Sequence, residues 1–288
     1  MFWGESPPLA GFILPVDSLD LISASRAVLL ANKRMKIATW NVNSLNVRLP
    51  HVTQWLSDIG PDILALQEIK MEDHKFPAEV FASLGYKVVF SGQKTYNGVA
   101  VISRSDALDP VFEIPGFDDP QRRVLAATVN GIRVINLYVP NGSEVGSEKY
   151  HYKLAWFEAL LRWLEAEKLR HSRICVLGDF NIAPDDRDVH DPSAWHGKIL
   201  CSEAERSLFK QLLDLGFCDA FREFDQAEKS FSWWDYRMNG FVRNLGLRID
   251  HILISEALSP ALSSCEIDRG PRALERPSDH APVVAVLR

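Results

Sequence analysis

The chain has 288 residues, 47% of them hydrophobic and 24% charged, with a formal net charge of −6 and four cysteines. That is enough apolar material for a large core. The longest apolar runs fall short of the roughly 18 to 20 residues that a membrane span needs. The acidic balance argues mildly against polyanion binding, unless clustered carboxylates hold cations that reverse the local sign. No C-x-x-C pair is present, which favours a reducing compartment without structural zinc. The first residues lack the basic stretch of a secretory signal, so a cytoplasmic, monomeric protein away from membranes is expected.

Residues 1–34 show no clear succession of strand and turn and read as an N-terminal extension or a mis-assigned start, with room for a short helix around Leu19 to Leu30. From Met35 onward no Ser/Gly-rich linker, low-complexity tract or repeat divides the chain, so residues 35–288 are expected to form one domain. Ile37-Ala38-Thr39-Trp40 reads as a strand running into Asn41. Leu49, Val52, Trp55, Leu56 and Ile59 recur at helical spacing until Gly60-Pro61, and Ile63-Leu64-Ala65-Leu66 is a strand running into Gln67-Glu68. Strands follow at Tyr86 to Phe90, Gly98 to Ser103, Val124 to Val129 and Ile132 to Val139, with Asn130-Gly131 as a hairpin turn. Leu154, Phe157, Leu160, Leu161 and Leu164 mark a helix, and Ile174-Cys175-Val176-Leu177 a buried strand ending in Gly178-Asp179-Phe180-Asn181. Leu208, Leu212, Leu213 and Leu215 mark a third helix, closed by Gly216. Ile249 to Ile254 carries Asp250 inside an apolar segment, and Ser278-Asp279-His280 precedes the last strand, Ala281 to Leu287. Many antiparallel-looking strands with interspersed helices predict sheet packed on sheet with helices outside.

Five of these strands carry polar residues at or near one end. A buried carboxylate is costly without a cation or a hydrogen-bonding partner, so the recurrence points to convergence on a metal. Asn41, Glu68, Asp179, Asn181, Asp250 and Asp279 offer oxygen ligands without a histidine–cysteine cluster, a set that suits Mg²⁺ or Mn²⁺. His280 is the acid or base that stands beside them. The motifs G-x-S-x-G, H-E-x-x-H, G-x-x-x-x-G-K-[ST] and strand-linked G-x-G-x-x-G are all absent, which removes the usual support for serine, zinc or nucleotide-driven chemistry. The acidic run Asp185, Asp186, Asp188, His190, Asp191 lacks the glycine and spacing of a calcium loop and reads as a solvated loop.

Eight blocks in order then give the pattern a family likeness. Trp40-Asn41-Val42-Asn43, Leu66-Gln67-Glu68, Asn97-Gly98-Val99-Ala100, Leu137-Tyr138-Val139-Pro140-Asn141, Gly178-Asp179-Phe180-Asn181-Ile182, Phe231-Ser232-Trp233-Trp234-Asp235-Tyr236-Arg237, Gly246-Leu247-Arg248-Ile249-Asp250 and Ser278-Asp279-His280-Ala281-Pro282 resemble the exonuclease III family of apurinic/apyrimidinic endonucleases. The resemblance implies an α/β, deoxyribonuclease I-like four-layer sandwich, two packed mixed β-sheets flanked by helices. It further implies Glu68 as the main metal ligand, with Asn41 and Asp279 holding the metal or its water. Asp179 would align or deprotonate the attacking water, Asn181 would orient the phosphate, and His280, held by Asp250, would stabilise charge on the phosphate. Tyr138 would donate a hydrogen bond or, ionised, assist the water. Asp179, Asn181 and His280 also belong to the ligand set that the likeness suggests.

In the same reading Trp233, Trp234 and Leu247 form an apolar pocket for a flipped, base-free deoxyribose, and Arg237, Arg243 and Arg248 meet phosphates. The implied substrate is double-stranded DNA with abasic sites or damaged 3′ ends. His196, in the loop Trp195-His196-Gly197-Lys198 that approaches DNA in this family, is a candidate to crowd a continuing strand and favour chain ends. Two other functions fit the same residues less well: a phosphatase or phosphodiesterase acting on non-DNA phosphoesters, and a DNA-binding scaffold with a dead site.

Overall fold

The computed structural model describes Met1 and residues 34–288; the expected N-terminal extension and its helix around Leu19 to Leu30 lie outside the described residues. The strand that begins at Met35 is β1 (Met35–Asn41), followed by α1 (Leu45–Ile59), β2 (Ile63–Gln67), α2 (Ala78–Ser83), β3 (Lys87–Ser91), β4 (Val99–Ser103) and β5 (Leu108–Val111). Then come β6 (Val124–Val129), β7 (Ile132–Tyr138), α3 (Glu148–Arg170), β8 (Ile174–Asp179), α4 (Pro192–Trp195), α5 (Glu203–Asp214) and β9 (Phe217–Asp219). The chain closes with β10 (Trp233–Trp234), β11 (Gly246–Leu247), β12 (Asp250–Ser255), β13 (Leu262–Ile267) and β14 (Val283–Leu287).

Twelve of these strands build two six-stranded sheets, ordered β13-β14-β1-β2-β4-β3 and β5-β6-β7-β8-β12-β9. Each sheet has one parallel pair at its centre, β1 with β2 and β7 with β8, and antiparallel pairing elsewhere. A parallel pair needs a crossover, which α1 supplies in the first sheet and α3 in the second. The expected hairpin is present: Val129 pairs with Ile132, and Asn130 and Gly131 take φ of 50° and 74°, as a two-residue primed turn requires.

The sheets pack face to face. Ile37, Ile63, Ala65, Val99 and Val101 of the first meet Leu125, Val134, Cys175, Leu177, Ile252 and Ile254 of the second in one buried cluster. The second sheet's outer face carries Trp156, Phe157, Leu160 and Leu164 of α3 and Leu208, Phe209 and Leu212 of α5. The first is covered by Leu45, Val52, Trp55 and Leu56 of α1 with Phe81 of α2. The result is the deoxyribonuclease I-like four-layer sandwich. Among the described residues no helix is long and apolar enough to cross a membrane.

This topology positions the polar strand ends. The carboxyl ends of β1, β2, β7 and β8 carry Asn41, Gln67, Tyr138 and Asp179. The antiparallel partners β14 and β12 begin at that same end, with Thr39 opposite Val283 and Asp179 opposite Asp250. Gly178 allows the approach: a Cβ there would lie 1.9 Å from the Leu137 carbonyl oxygen, so no other residue fits at this register.

Candidate active site

Asn41 stands at the centre of the cluster where the sheets' polar ends meet. Its Nδ2 donates to Glu68 Oε1 and to Asp179 Oδ2, each at 2.9 Å, and its Oδ1 accepts from the Asn43 backbone N–H at 2.9 Å. As placed, Asn41 is a donor to the two carboxylates, and it could ligate a metal only after exchanging its amide oxygen and nitrogen. Ligand atoms of Glu68, Asp179 and His280 all lie within 4.8 Å of one another. Glu68 and Asn181 occupy left-handed backbone conformations, φ 54° and 49°, strain of a kind that concentrates at functional sites.

The second carboxylate layer orients the histidine. Asp250 Oδ2 lies 2.9 Å from His280 Nδ1 and accepts from Ser232 Oγ at 2.7 Å. A carboxylate accepts only, so Nδ1 carries the proton and Nε2 faces Asp179, 3.8 Å from its Oδ2. Burial alone would lower the His280 pKa, but the Asp250 and Asp179 carboxylates outweigh it and raise it to about 10. Burial, aided by the Asp250 charge, pushes Asp179 up to about 7 against the opposing His280 charge and the Asn41 and Asn181 donors. Asn181 supplies its backbone N–H to Asp179 Oδ1 at 2.9 Å and its Nδ2 to Val139 O at 3.0 Å.

Asp279 lies outside the Glu68–Asp179–His280 group. Its Oδ1 accepts from Asn43 Nδ2 at 2.8 Å and its Oδ2 from Trp233 Nε1 at 3.0 Å. Burial would raise its pKa, yet the His280 charge and these two donors hold it below the usual carboxylate value. The pKa of the Tyr138 hydroxyl is raised well above the ordinary value by burial, then by the Glu68 and Asp179 charges. Of the two roles for Tyr138, these surroundings favour the protonated donor over the phenolate.

Three neighbours were not singled out from sequence. Lys70 Nζ pairs with Glu68 at 2.7 Å and donates to Asn43 Oδ1 at 2.6 Å; Asn43 braces Asp279; Ser232 braces Asp250. Asn43 and Lys70 each sit two residues beyond a site residue and share a positive φ, 43° and 52°, a conformation that the structure alone reveals.

Several expected residues are placed differently. Arg248 is 1% exposed, bound to Asp188 and Asp219 at 2.7 Å each and to His251 Nδ1 at 3.0 Å, so it has no face for a phosphate. Asp188 is likewise buried and also paired with Arg222; the acidic run is therefore not simply a solvated loop. Trp233 and Trp234 are adjacent in a strand and point to opposite sides: Trp233 keeps accessible surface, whereas Trp234 is buried, its Nε1 on Asn244 Oδ1 at 3.0 Å. Leu247, opposite Trp233 in the β10–β11 ribbon, is also fully buried. Trp233 is thus the member of the expected pocket with surface to offer. Arg237 is exposed and paired with its neighbour Asp235, and His196 is exposed just after α4.

Residues 38–280 match the Endonuclease/Exonuclease/phosphatase family. The chain belongs to that family. Within it, exodeoxyribonuclease III of Haemophilus influenzae is 36% identical over 270 residues, 88% of this chain and 100% of that protein. Among solved structures, that of a variant of the 3′ phosphatase NExo from Neisseria, bound to product DNA hairpin, superposes with a TM-score of 0.87 at 54% identity, covering 88% of this chain and 99% of the other. An AP endonuclease from Archaeoglobus fulgidus superposes with a TM-score of 0.84 at 42% identity, again covering 88% and 99%. These similarities place the chain in the exonuclease III branch of the family.

Proposed function

We propose that this chain, through a single catalytic domain of residues 35–288, is a cytoplasmic, monomeric DNA repair nuclease that uses Mg²⁺ or Mn²⁺ to hydrolyse phosphodiesters at damaged or recessed 3′ ends and at abasic sites. Membership of the exonuclease III branch makes it a phosphodiester hydrolase. The observation that carries the site reading is the convergence of Glu68, Asp179 and His280 within 4.8 Å. Hard oxygen donors beside a histidine held at Nδ1 fit a small divalent cation better than a thiophilic one.

Glu68, with Asp179 beside it, would hold the cation, which when bound supplies positive charge to a phosphoryl oxygen and to the departing 3′ oxygen. The other steps fall to the protein. Asp179, poised near 7, takes a proton from the attacking water, and Asn181 fixes its orientation. His280, kept as an imidazolium by Asp250 and Asp179, turns Nε2–H toward a phosphate oxygen as negative charge builds there. Tyr138 adds a hydroxyl donor from the opposite sheet. Asp279 acts through Trp233, whose ring forms the wall against which a base-free sugar rests.

Processing of 3′ ends is the principal activity in this reading, supported by the 54% identity to a protein described as a 3′ phosphatase, with His196 restraining entry of an uninterrupted strand. The test is a labelled duplex with one internal abasic analogue, run beside a duplex with a recessed 3′ end, each with Mg²⁺, with Mn²⁺ and with chelator. Activity at the recessed end alone, gained at the internal site in His196→Gly, is the expected result. Prompt internal cutting by the wild type would make it a general abasic endonuclease. Turnover of non-DNA phosphoesters in preference to both duplexes would favour the phosphatase reading.

A further inference from the structure

Behind Asn181 lies a charged pair that the chemistry above does not use. Lys153, on α3, and Glu205, on α5, are 1% and 0% exposed and form a direct salt bridge. Burying two charges is costly even when they are paired, and an apolar pair of similar volume often serves stability as well. What distinguishes this lysine is where its remaining protons go. Its Nζ donates to the backbone carbonyl of Asn181 at 2.6 Å and to that of Asn141 at 3.2 Å. The two loops that carry these residues leave β8 and β7, the central parallel strands of the second sheet. Between the loops, Asn141 Nδ2 donates to Asn181 Oδ1 at 2.9 Å.

The left-handed conformation of Asn181 turns its carbonyl inward, where it needs a buried donor. Lys153 supplies that donor, and the three protons of an ammonium can serve two carbonyls and a carboxylate at once. Glu205 Oε1 accepts the Leu200 N–H at 3.1 Å, and Oε2 accepts from Ser202 N at 3.1 Å and Ser202 Oγ at 2.7 Å. The pair therefore joins the Asn181 loop to the end of the loop that contains His196.

We infer that Lys153, backed by Glu205, is a positioning residue for the hydrolytic site: it clamps the Asn141 and Asn181 carbonyls and so sets the Asn181 amide and the Asp179 carboxylate for attack on the phosphate. This inference rests on the nuclease reading above. Lys153 touches no reacting atom; its effect reaches the chemistry through Asn181, whose backbone N–H and side chain both bond Asp179.

The experiment compares kcat and KM for nucleotide removal from a recessed 3′ end in the wild type, Lys153→Met/Glu205→Gln and Asn141→Ala, with Tm measured for each. Lys153→Met alone strands a buried carboxylate and lowers Tm. The double variant removes both charges, and the introduced glutamine retains a side-chain oxygen for Ser202, so Tm is expected to return toward that of the wild type. Asn141 is exposed, and its replacement leaves the buried pair intact.

Expected are a fall in kcat of about 10- to 100-fold in the double variant and about 3- to 10-fold in Asn141→Ala, with KM within threefold in both. Recovery of kcat along with Tm in the double variant, or a loss confined to KM there, would each overturn the assignment. A wild type that turns over while the variants match it refutes the clamp alone. A wild type inert on the duplex with either metal refutes the nuclease reading and the clamp together.

Discussion

Two clusters of charge differ in balance, one held beside the second sheet and the other where the polar ends of both sheets meet. Asp188 and Asp219 are matched by Arg248 and Arg222, and His251 completes the set as a neutral ring. An arginine only donates and a carbonyl only accepts, so His251 Nδ1 accepts from Arg248 and its Nε2–H donates to Ile182 O at 3.0 Å. In this set Asp188 titrates below its usual value, burial being outweighed by the arginines. At the strand ends, among the described residues, Glu68, Asp179, Asp250 and Asp279 are paired with His280 and Lys70 alone and Asp250 Oδ1 is buried without a hydrogen-bond partner, while Asp179 is pushed up to about 7. The balanced cluster holds a fold together; the excess of carboxylate is where a cation and a phosphate can be handled.

The comparison is broken most severely at the unbalanced cluster. Asp179→Asn and His280→Ala should each reduce turnover about a thousandfold or more while leaving circular dichroism and Tm close to wild type. Near-normal rates in either would mean that the site is misassigned. Chelator should likewise abolish turnover, with Mg²⁺ or Mn²⁺ restoring it and raising Tm by mass action.

The balanced cluster should show the reverse behaviour. Arg248→Met leaves the buried Asp219 carboxylate without its arginine and Asp188 with Arg222 alone, and is expected to cost about 3–5 kcal/mol in denaturant titrations, while the molecules that remain folded keep their KM for DNA. A weakened KM with intact stability would return Arg248 to the phosphate-binding role that the sequence suggested.

His251 sharpens the contrast through pH. Burial and the adjacent Arg248 lower it to about 4, whereas the unfolded chain takes up that proton near 6.5. Its contribution is therefore fully present above pH 6.5 and is lost as pH falls toward and through 4, an effect of about 3 kcal/mol. Urea titrations from pH 8 to 4 should show this loss in the wild type and a flatter profile in His251→Gln. Identical profiles would mean that another group controls the acid limb. The smallest effect is expected at Arg237, exposed and already paired with Asp235. Arg237→Ala should raise KM for DNA by less than about threefold and reduce the slope of log KM against log salt by about one.

Much of this was readable along the chain, and the rest has a physical reason for being hidden. Asn41, Glu68, Asp179 and Asp250 each interrupt or end an apolar run, and a polar or ionisable group at the end of a buried strand is visible in one dimension. The Asn130-Gly131 hairpin was visible for the same reason, since its backbone demand is local. Strands of two to four residues, β5, β9, β10 and β11, carry too few residues for a period to register. Arg248 looked like a phosphate contact because it stands near Trp233 and Arg237 in sequence; its partners are 60 residues away at Asp188 and on the strand at Asp219. Trp233 and Trp234 look alike as letters and are divided by strand alternation into a cleft wall and a core residue.

Local pattern was thus sufficient for sheet packed on sheet with helices outside and for the chemical types gathered at the site, because hydrophobic periodicity and strand-end polarity are properties of neighbouring residues; the four-layer arrangement itself came from the family likeness. Which carboxylates are neutralised, and which are left in excess, followed only from packing one sheet on the other. Charge balance in a low-dielectric interior depends on distances across the fold, and those are set by the register of β7, β8 and β12 and by the helices that bring Lys153 and Glu205 behind Asn181.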